Sequence, residues 1–522
     1  MRIPSSSLLL ACCIKCSDSF APIRAECRIL PKAPSTQTPS LQLLLLESKQ
    51  PRILSLDADL SLFSSNSNSN SVDALGATPS SNSNSHRFNW LTPTLAICIP
   101  AWISMMADPL LSLMDTAFVG RVGSIELAAL GACTSIFHLA FNAFRATTTA
   151  TTSLVASAQT TAEKQQVTQL SLCFGVVMGL LVLVGLQAAG PWALAKMGIP
   201  TTSLLFSPAH DYLTTRLWAA PAVLFLVVAE GAFRGYGNTR VSLMASLVAS
   251  GINLILDPLL MFRFGWGVKG AAAATAISQF GAASVFAYHL WSKQMLPSKT
   301  RTAHVNQFKV IRTILGANLA MMAKQGSLLL GWAYATACAT RLGTPHVAAH
   351  QVALSFWLVF ALWLDGAAVA AQVLMGQHSK VQQKVRSLTQ YMFKVATVQG
   401  LASTALIMLL GKVVPTLFTK DPAIRYHLHE LMPHLGFQQI LISWTLVMEA
   451  LSAGSNQYSW LAGGTLVSTV LAVWQIHEAE TVEAIWSRGI VTLFAGRCVT
   501  ALIGTARANH WWRRQDDEDE AP

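Results

Sequence analysis

Six acidic residues lie in or beside strongly apolar stretches of this sequence. They are Asp108, Asp115, Glu230, Asp257, Asp365 and Glu449. If those stretches cross a membrane, each ionised side chain costs about 2.5–3.5 kcal/mol on insertion scales. A cost of that size makes each acid a candidate functional residue. Arg145, Lys324 and Arg497 are basic residues in similar surroundings and belong to the same set of candidates.

The spacing of these residues groups some of them on helix faces. Asp108 and Asp115 are seven positions apart, and Asn253 and Asp257 are four apart, so each pair shares one face of a helix. Two carboxyl groups and an amide facing one interior cavity would suit protons or a small hard cation, since burial favours the protonated carboxyl. The alternative is that Asp108 and Asp257 mark helix ends, because each directly precedes a proline.

Composition places these residues in a membrane protein. The chain has 522 residues, of which 52% are hydrophobic and only 12% charged, about half the roughly 25% of ordinary soluble domains. The net charge of +11 is spread over short links, and no stretch combines dense basic charge with interleaved aromatics, which excludes nucleic acid as the expected partner. The expected partner is the lipid bilayer.

Apolar runs near the length of a membrane span recur along the chain and predict an all-α polytopic fold. About twelve transmembrane helices are expected, at residues 93–119, 127–158, 170–192, 211–236, 240–262, 268–291, 311–340, 347–376, 389–417, 426–453, 459–476 and 484–506.

The chain divides into a leader, two membrane regions, a link and a tail. Residues 1–90 are Ser-rich, and the first part is basic and poor in acids, which predicts a disordered leader with a plastid transit peptide. The membrane regions are 91–291 and 311–506, joined by a basic loop at 292–310, and an acidic tail follows at 507–522. The basic links favour termini on the stromal side; another cellular membrane is the alternative location.

An internal repeat relates the two membrane regions. RVGSIELAA at residues 121–129 recurs as RLGTPHVAA at residues 341–349. Two six-helix repeats are a common transporter plan, with sites at or between the halves. The same offset carries Arg145 to Asp365, so these two residues are expected either to form an ion pair between the halves or to reach water at helix ends.

Histidines offer a metal-site alternative. His346 and His350 have helical i,i+4 spacing, and His427, His429 and His434 cluster with Glu430. Because Val347 stands where a zinc protease needs glutamate after the first histidine, no metal site is predicted. No nucleophile elbow or phosphate-binding loop is found, and the chain is not expected to be an enzyme.

Several stretches resemble the multidrug and toxic compound extrusion (MATE) transporters. They are DPLLSLMDTAFVGRVGSIELAALG from residue 108, FRGYGNTR from 233, GVKGAAAATAISQ from 267 and AAHQV from 348. The leader and these stretches are most similar to the plastid-targeted plant DETOXIFICATION members of the DNA-damage-inducible-F-like branch. The resemblance implies two six-helix lobes in a V, and antiport in which proton or sodium entry drives export.

The resemblance also implies roles for particular residues. Asp115, Asn253 and Asp257 match the cation site in the first lobe of prokaryotic relatives, and Thr275 matches a hydroxyl that joins it. Asp365 and Glu449 fall where plant members carry acids in the eighth and tenth helices; together with Asp108, Glu230 and Arg145 they are candidates for substrate binding or gating. One departure is Leu111, which replaces the aromatic residue that precedes the first-helix acid.

The expected function is therefore export of a small organic solute, such as an organic anion, a phenolic or a xenobiotic, in exchange for H⁺ or Na⁺. We expect a monomer with no cofactor apart from the coupling ion. Two alternatives stay open. One is a flippase of the same superfamily for a lipid-linked substrate, and the other is a membrane-embedded metal enzyme using the histidine clusters.

Overall fold

The computed structural model of the protein describes residues 88–297, 307–411, 413, 415, 416 and 421–519. The predicted transit peptide lies outside the described residues, as do parts of the predicted basic loop and the last residues of the predicted acidic tail. The helices are α1 (Leu91–Val122), α2 (Ser124–Ser157), α3 (Thr161–Lys196), α4 (Phe206–Leu217), α5 (Ala220–Gly235), α6 (Thr239–Pro258), α7 (Gly267–Ser292), α8 (Gln307–Arg341), α9 (Thr344–His378), α10 (Gln382–Leu410), α11 (Pro422–Gly454), α12 (Tyr458–His477), α13 (Val482–Ala484) and α14 (Val491–Asp519).

Each of the twelve predicted segments corresponds to helical structure in the described ranges, which confirms the all-α polytopic class. By length and apolar composition, eight of the described helical stretches could each cross a membrane, or nine if the bent α4–α5 pair is one span. Charged or polar residues interrupt the apolar stretches of α1, α8 and α11. These three helices carry Asp115, Lys324 and Glu449 among the candidate residues.

Two predicted segments were wrong in part. The fourth segment was expected to be continuous, but α4 and α5 meet at an angle of 50°, because Pro221 in the first turn of α5 has no backbone N–H to continue the ladder. The ninth segment was expected to reach residue 417, but α10 ends at Leu410, just before Gly411 and Pro415. The last helix continues to Asp519, but its apolar span ends at Ala508, close to the predicted end at residue 506.

The internal repeat appears as matching helix starts. The helices α2 and α9 are among the longest in the chain, and each begins directly after a glycine of the repeated motif. Gly343 has a φ of +114°, a backbone conformation that side chains rarely adopt. The two sequence repeats thus place a glycine directly before equivalent helices, one in each half of the described structure.

We call α1–α7 the N-half and α8–α14 the C-half. Each half has its own buried apolar clusters, such as the one around Phe137 and Tyr212 in the N-half and the one around Trp486 in the C-half. The first part of α1 also packs into the C-half, where Trp90, Ile97 and Ala101 join a cluster made mainly of α9, α10 and α11 residues. The helix α1 therefore contributes to both halves.

Candidate functional site

The helices α1, α6 and α7 bring four predicted site residues together in the N-half. Asp115 comes from α1, Asn253 and Asp257 lie one turn apart on α6, and Thr275 comes from α7. A π-helical turn at Leu259–Arg263 continues α6 beyond Pro258. Asp257 thus lies within continuous helical structure, and the alternative that it marks a helix end is not what the structure shows.

The Asn253 amide connects the two carboxyl groups. With its nitrogen facing them, the amide donates to Asp115 Oδ1 at 2.9 Å and to Asp257 Oδ2 at 2.7 Å. In this orientation, the amide oxygen of Asn253 lies 3.3 Å from the Thr275 hydroxyl oxygen. One amide thus contacts three side chains from three helices, and we call these four residues the carboxyl site.

The side chains of the carboxyl site are partly or fully buried, and burial favours the protonated form of a carboxyl group. Asp257 and Asn253 are almost fully buried, whereas Asp115 is half-buried. Asp257 Oδ1 has no hydrogen-bond partner within the described part of the chain. The site is thus rich in oxygen ligands, and these could hold a proton or a small hard cation.

A second charged group lies in the C-half. Glu449 on α11 accepts a hydrogen bond from Lys324 Nζ of α8 at 2.7 Å, and Arg497 of α14 donates to both its carboxylate oxygens, at 2.9 and 2.8 Å. The sequence marked all three residues as costly but did not pair them. Glu449 and Arg497 are buried and Lys324 is nearly so. We call these residues the Glu449 triad, and it has one cation more than it has anions.

Two of the other candidate acids, Asp365 and Glu230, have charged neighbours. Asp365 is within electrostatic range of Arg145, Arg234, Lys324 and Glu449, so charges from both halves influence it. Glu230 forms an i,i+4 ion pair with Arg234 in α5.

The side chain of Asp108 lies outside the described residues. The backbone of α1 stays helical through Pro109, so Asp108 does not mark the end of a helix.

The histidines form pairs with other protein groups. His427 Nδ1 lies 2.8 Å from Glu483 Oε1, and the His346 ring is centred 4.2 Å from that of His427. His350 lies 3.1 Å from both the Thr336 hydroxyl and Trp486 Nε1. Among the residues that the structure describes, no three His, Cys, Asp or Glu side chains are grouped to hold a metal ion. The histidine spacing therefore gives the metal-enzyme alternative no support in this part of the chain.

The two halves are joined by hydrogen bonds at the end of the molecule where α1 begins, which we call the near end. Trp90 Nε1 donates to Ser387 Oγ at 3.0 Å, and Asn456 Nδ2 donates to Ser157 Oγ at 3.3 Å. Gln372 Nε2 donates to the Thr149 carbonyl and to Ser153 Oγ, both at 2.7 Å. Sequence reasoning missed Gln372, although an amide inside the apolar run of α9 was a signal that could have identified it.

Comparison with known proteins agrees with this arrangement. The MatE family model matches residues 100–259 and, a second time, residues 329–474. Protein DETOXIFICATION 44, chloroplastic, from Arabidopsis thaliana is 29% identical over 438 residues, covering 80% of this chain and 82% of that protein. Protein DETOXIFICATION 43 from the same plant is 27% identical over 488 residues, covering 80% and 91% respectively.

Solved structures show the same fold. A crystal structure of MATE in the bent conformation has a TM-score of 0.73 at 22% identity, covering 83% of this chain and 98% of that one. The bent form of the Vibrio cholerae MATE transporter VcmN has a TM-score of 0.73 at 19% identity, with coverages of 81% and 98%. The family match covers more than half of the sequence and falls once in each half, as the internal repeat predicts. The chain therefore belongs to the MatE family of multidrug and toxin efflux transporters.

Proposed function

We propose that the protein is a cation-coupled antiporter that exports a small organic solute in exchange for H⁺ or Na⁺. The carboxyl site carries this proposal, because it places two carboxyl groups and an amide from different helices in hydrogen-bonding contact inside the N-half. Two ionised carboxylates that contact the same amide nitrogen would repel each other strongly in a medium of low dielectric constant. The site is therefore stable when a proton or another cation occupies it.

Occupancy of the carboxyl site is coupled to the position of α1. Asp115 is the contribution of α1, whereas Asn253, Asp257 and Thr275 come from α6 and α7. When the cation leaves, repulsion between Asp115 and Asp257 favours separation of α1 from α6. Pro100 and Pro109 lie within α1, and prolines are common points at which helices bend. Cation binding and release would thus change the course of α1.

Alternating access then requires the contacts of the near end to break. The hydrogen bonds of Trp90, Gln372 and Asn456 hold the halves together there, which corresponds to a state closed at that end. Release of these bonds, together with closure at the other end, would expose the solute to the opposite compartment.

The solute class follows from the charges of the C-half. The Glu449 triad has one net positive charge on residues that are mostly buried, and such a charge favours an anionic or phenolic solute over an organic cation. Lys324 is the member of the triad with the greatest exposed fraction, so its ammonium group is the one we expect to contact the solute.

We propose a plastid membrane as the location. The leader has the composition of a transit peptide, and three relatives of this chain carry the word chloroplastic in their names. Lys293 and Lys380 lie in links at the near end, so the preference of basic residues for the stromal side places the near end and the termini there. We expect the transporter to act as a monomer.

Transport by Asp257→Asn in proteoliposomes tests the coupling. An amide of the same shape cannot carry the exchangeable charge, so uptake driven by a pH or sodium gradient should fall at least about tenfold, a change of about 1.4 kcal/mol in the barrier. The matched control is Asp211→Asn, which removes an exposed carboxyl on α4 and should leave uptake unchanged. Undiminished gradient-driven uptake by Asp257→Asn, with normal insertion of the protein, would overturn the proposed coupling site.

A further inference from the structure

A groove of about 550 Å³ lies at the near end of the N-half, away from the carboxyl site. Residues from the starts of α1 and α6 and from the end of α7 form its walls. The side chains that matter for its chemistry are Ala96, Arg240, Met244, His289 and Lys293. The proposed transport cycle does not use this groove.

The charge of the groove selects for an anion. Arg240 and Lys293 have exposed side chains, and the His289 ring lies in the same wall. None of the residues that line the groove is acidic. The Arg240 guanidinium group can donate several hydrogen bonds in a planar fork that matches phosphate or sulfate oxygens. An anionic group would therefore find two cations with no competing carboxylate.

The position of the groove relative to the membrane surface favours a lipid as its ligand. Tyr288 and Trp291 on the last turns of α7 are 61% and 79% exposed, and exposed aromatics of this kind are enriched at the membrane–water interface. Lys293 follows these residues, so it lies at the level of the lipid headgroups. Further into the membrane on the Arg240 face of α6, Met244 is 40% exposed and Leu247 is 57% exposed. A basic entrance thus leads onto an apolar track.

We propose that this groove binds an anionic membrane lipid, with its acidic headgroup between Arg240 and Lys293 and an acyl chain along Met244 and Leu247. Basic pockets between transmembrane helices are suited to such headgroups. The Thr239 hydroxyl donates to the Ile97 carbonyl at 3.0 Å, so the base of the groove already connects α6 to α1. A bound lipid would join α1, α6 and α7, the same three helices that form the carboxyl site about 20 Å further along α6.

Native mass spectrometry of the purified, delipidated full chain tests the proposal. The protein is titrated with phosphatidylglycerol and, separately, with phosphatidylcholine, and the fraction carrying one lipid is measured. Arg240→Gln combined with Lys293→Gln should weaken phosphatidylglycerol binding about 30-fold, because each basic residue near an anionic membrane surface contributes about 1 kcal/mol. Phosphatidylcholine binding should be weak in both proteins.

Two further variants separate the site from general surface charge. Lys380→Gln combined with Arg386→Gln removes two exposed cations from the near end of the C-half, and binding should stay within threefold of the unsubstituted protein. Arg240→Lys combined with Lys293→Arg retains both charges and should also bind within about threefold, which would assign the weaker binding of the glutamine variant to the loss of charge at these two positions.

Three results would overturn the proposal. One is unchanged phosphatidylglycerol binding when Arg240 and Lys293 are both replaced by glutamine. The second is phosphatidylcholine binding as strong as phosphatidylglycerol binding. The third is displacement of the lipid by inorganic phosphate or glycerol phosphate at equal concentration, since that result would assign the groove to a soluble anion.

Discussion

Replacement of Glu449 by glutamine should destabilise the protein more than any exposed charge change of the same kind. The Glu449 carboxylate accepts three hydrogen bonds of 2.7–2.9 Å from two cations. Its removal leaves Arg497, which is 5% exposed, without a counter-ion. Breaking a buried ion pair from one side costs about 3–5 kcal/mol, because the remaining charge is not compensated. At about 2 °C per kcal/mol for a large domain, the apparent melting temperature should fall by about 6–10 °C.

The assay is thermal unfolding of the purified protein in detergent, followed by intrinsic tryptophan fluorescence. Glu480→Gln is the matched control, because it makes the same chemical change at an exposed position after α12 and should shift the midpoint by less than about 1 °C. A second variant, Glu449→Gln with Lys324→Gln, removes one of the two stranded cations and should recover part of the loss.

A Glu449→Gln midpoint within 2 °C of the unsubstituted protein would refute the reasoning. That result would mean that water or another group compensates Arg497 and Lys324, and that the Glu449 triad does not hold α8, α11 and α14 together. The argument for a net positive charge facing the solute would then lose its structural basis.

Three further predictions concern the interface between the halves, the metal alternative and the leader. Gly376→Ala should lower transport severalfold, because the new Cβ would lie 2.6 Å from the Ala156 Cβ across the near end. Chemical labelling of cysteines introduced at the near end should increase in this variant. Gly463→Ala, with open space around residue 463, should change neither transport nor labelling. Metal analysis of the purified protein should find less than one equivalent of zinc or iron, and a stoichiometric content would support the metal-enzyme alternative. Deletion of residues 1–60 should move a fluorescent fusion away from plastids, and an unchanged location would reject the transit peptide.

The sequence predicted local features of the candidate site better than contacts between helices. The i,i+4 spacing of Asn253 and Asp257 was enough to place them on one face, since helix geometry fixes that relation. The family resemblance, and not spacing, assigned Asp115 and Thr275 to the same site, because no local spacing relates α1 to α6 or α7. The structure adds the Asn253 amide as the group that connects the two carboxyls.

Contacts between distant segments could not be predicted in the same way. Lys324, Glu449 and Arg497 were each recognised as costly in hydrocarbon, but they come from three helices, and burial cost does not identify a partner. The pair formed by Glu483, which follows α12, with His427 of α11 is another contact that residue spacing does not identify. The break between α4 and α5 was missed because apolar composition continues across it, while Pro221 alone signals the interruption.

Because α1 packs against both halves, the two halves are not interchangeable modules despite the internal duplication. Its first turns supply Trp90, Ile97 and Ala101 to a C-half cluster, and a later turn supplies Asp115 to the N-half. A fragment ending at Ser292 would therefore retain surface that normally packs against its partner, and the complementary fragment would lack part of its own interior. The ancestral repeat survives in the pattern of helices, but each descendant copy is incomplete without the other.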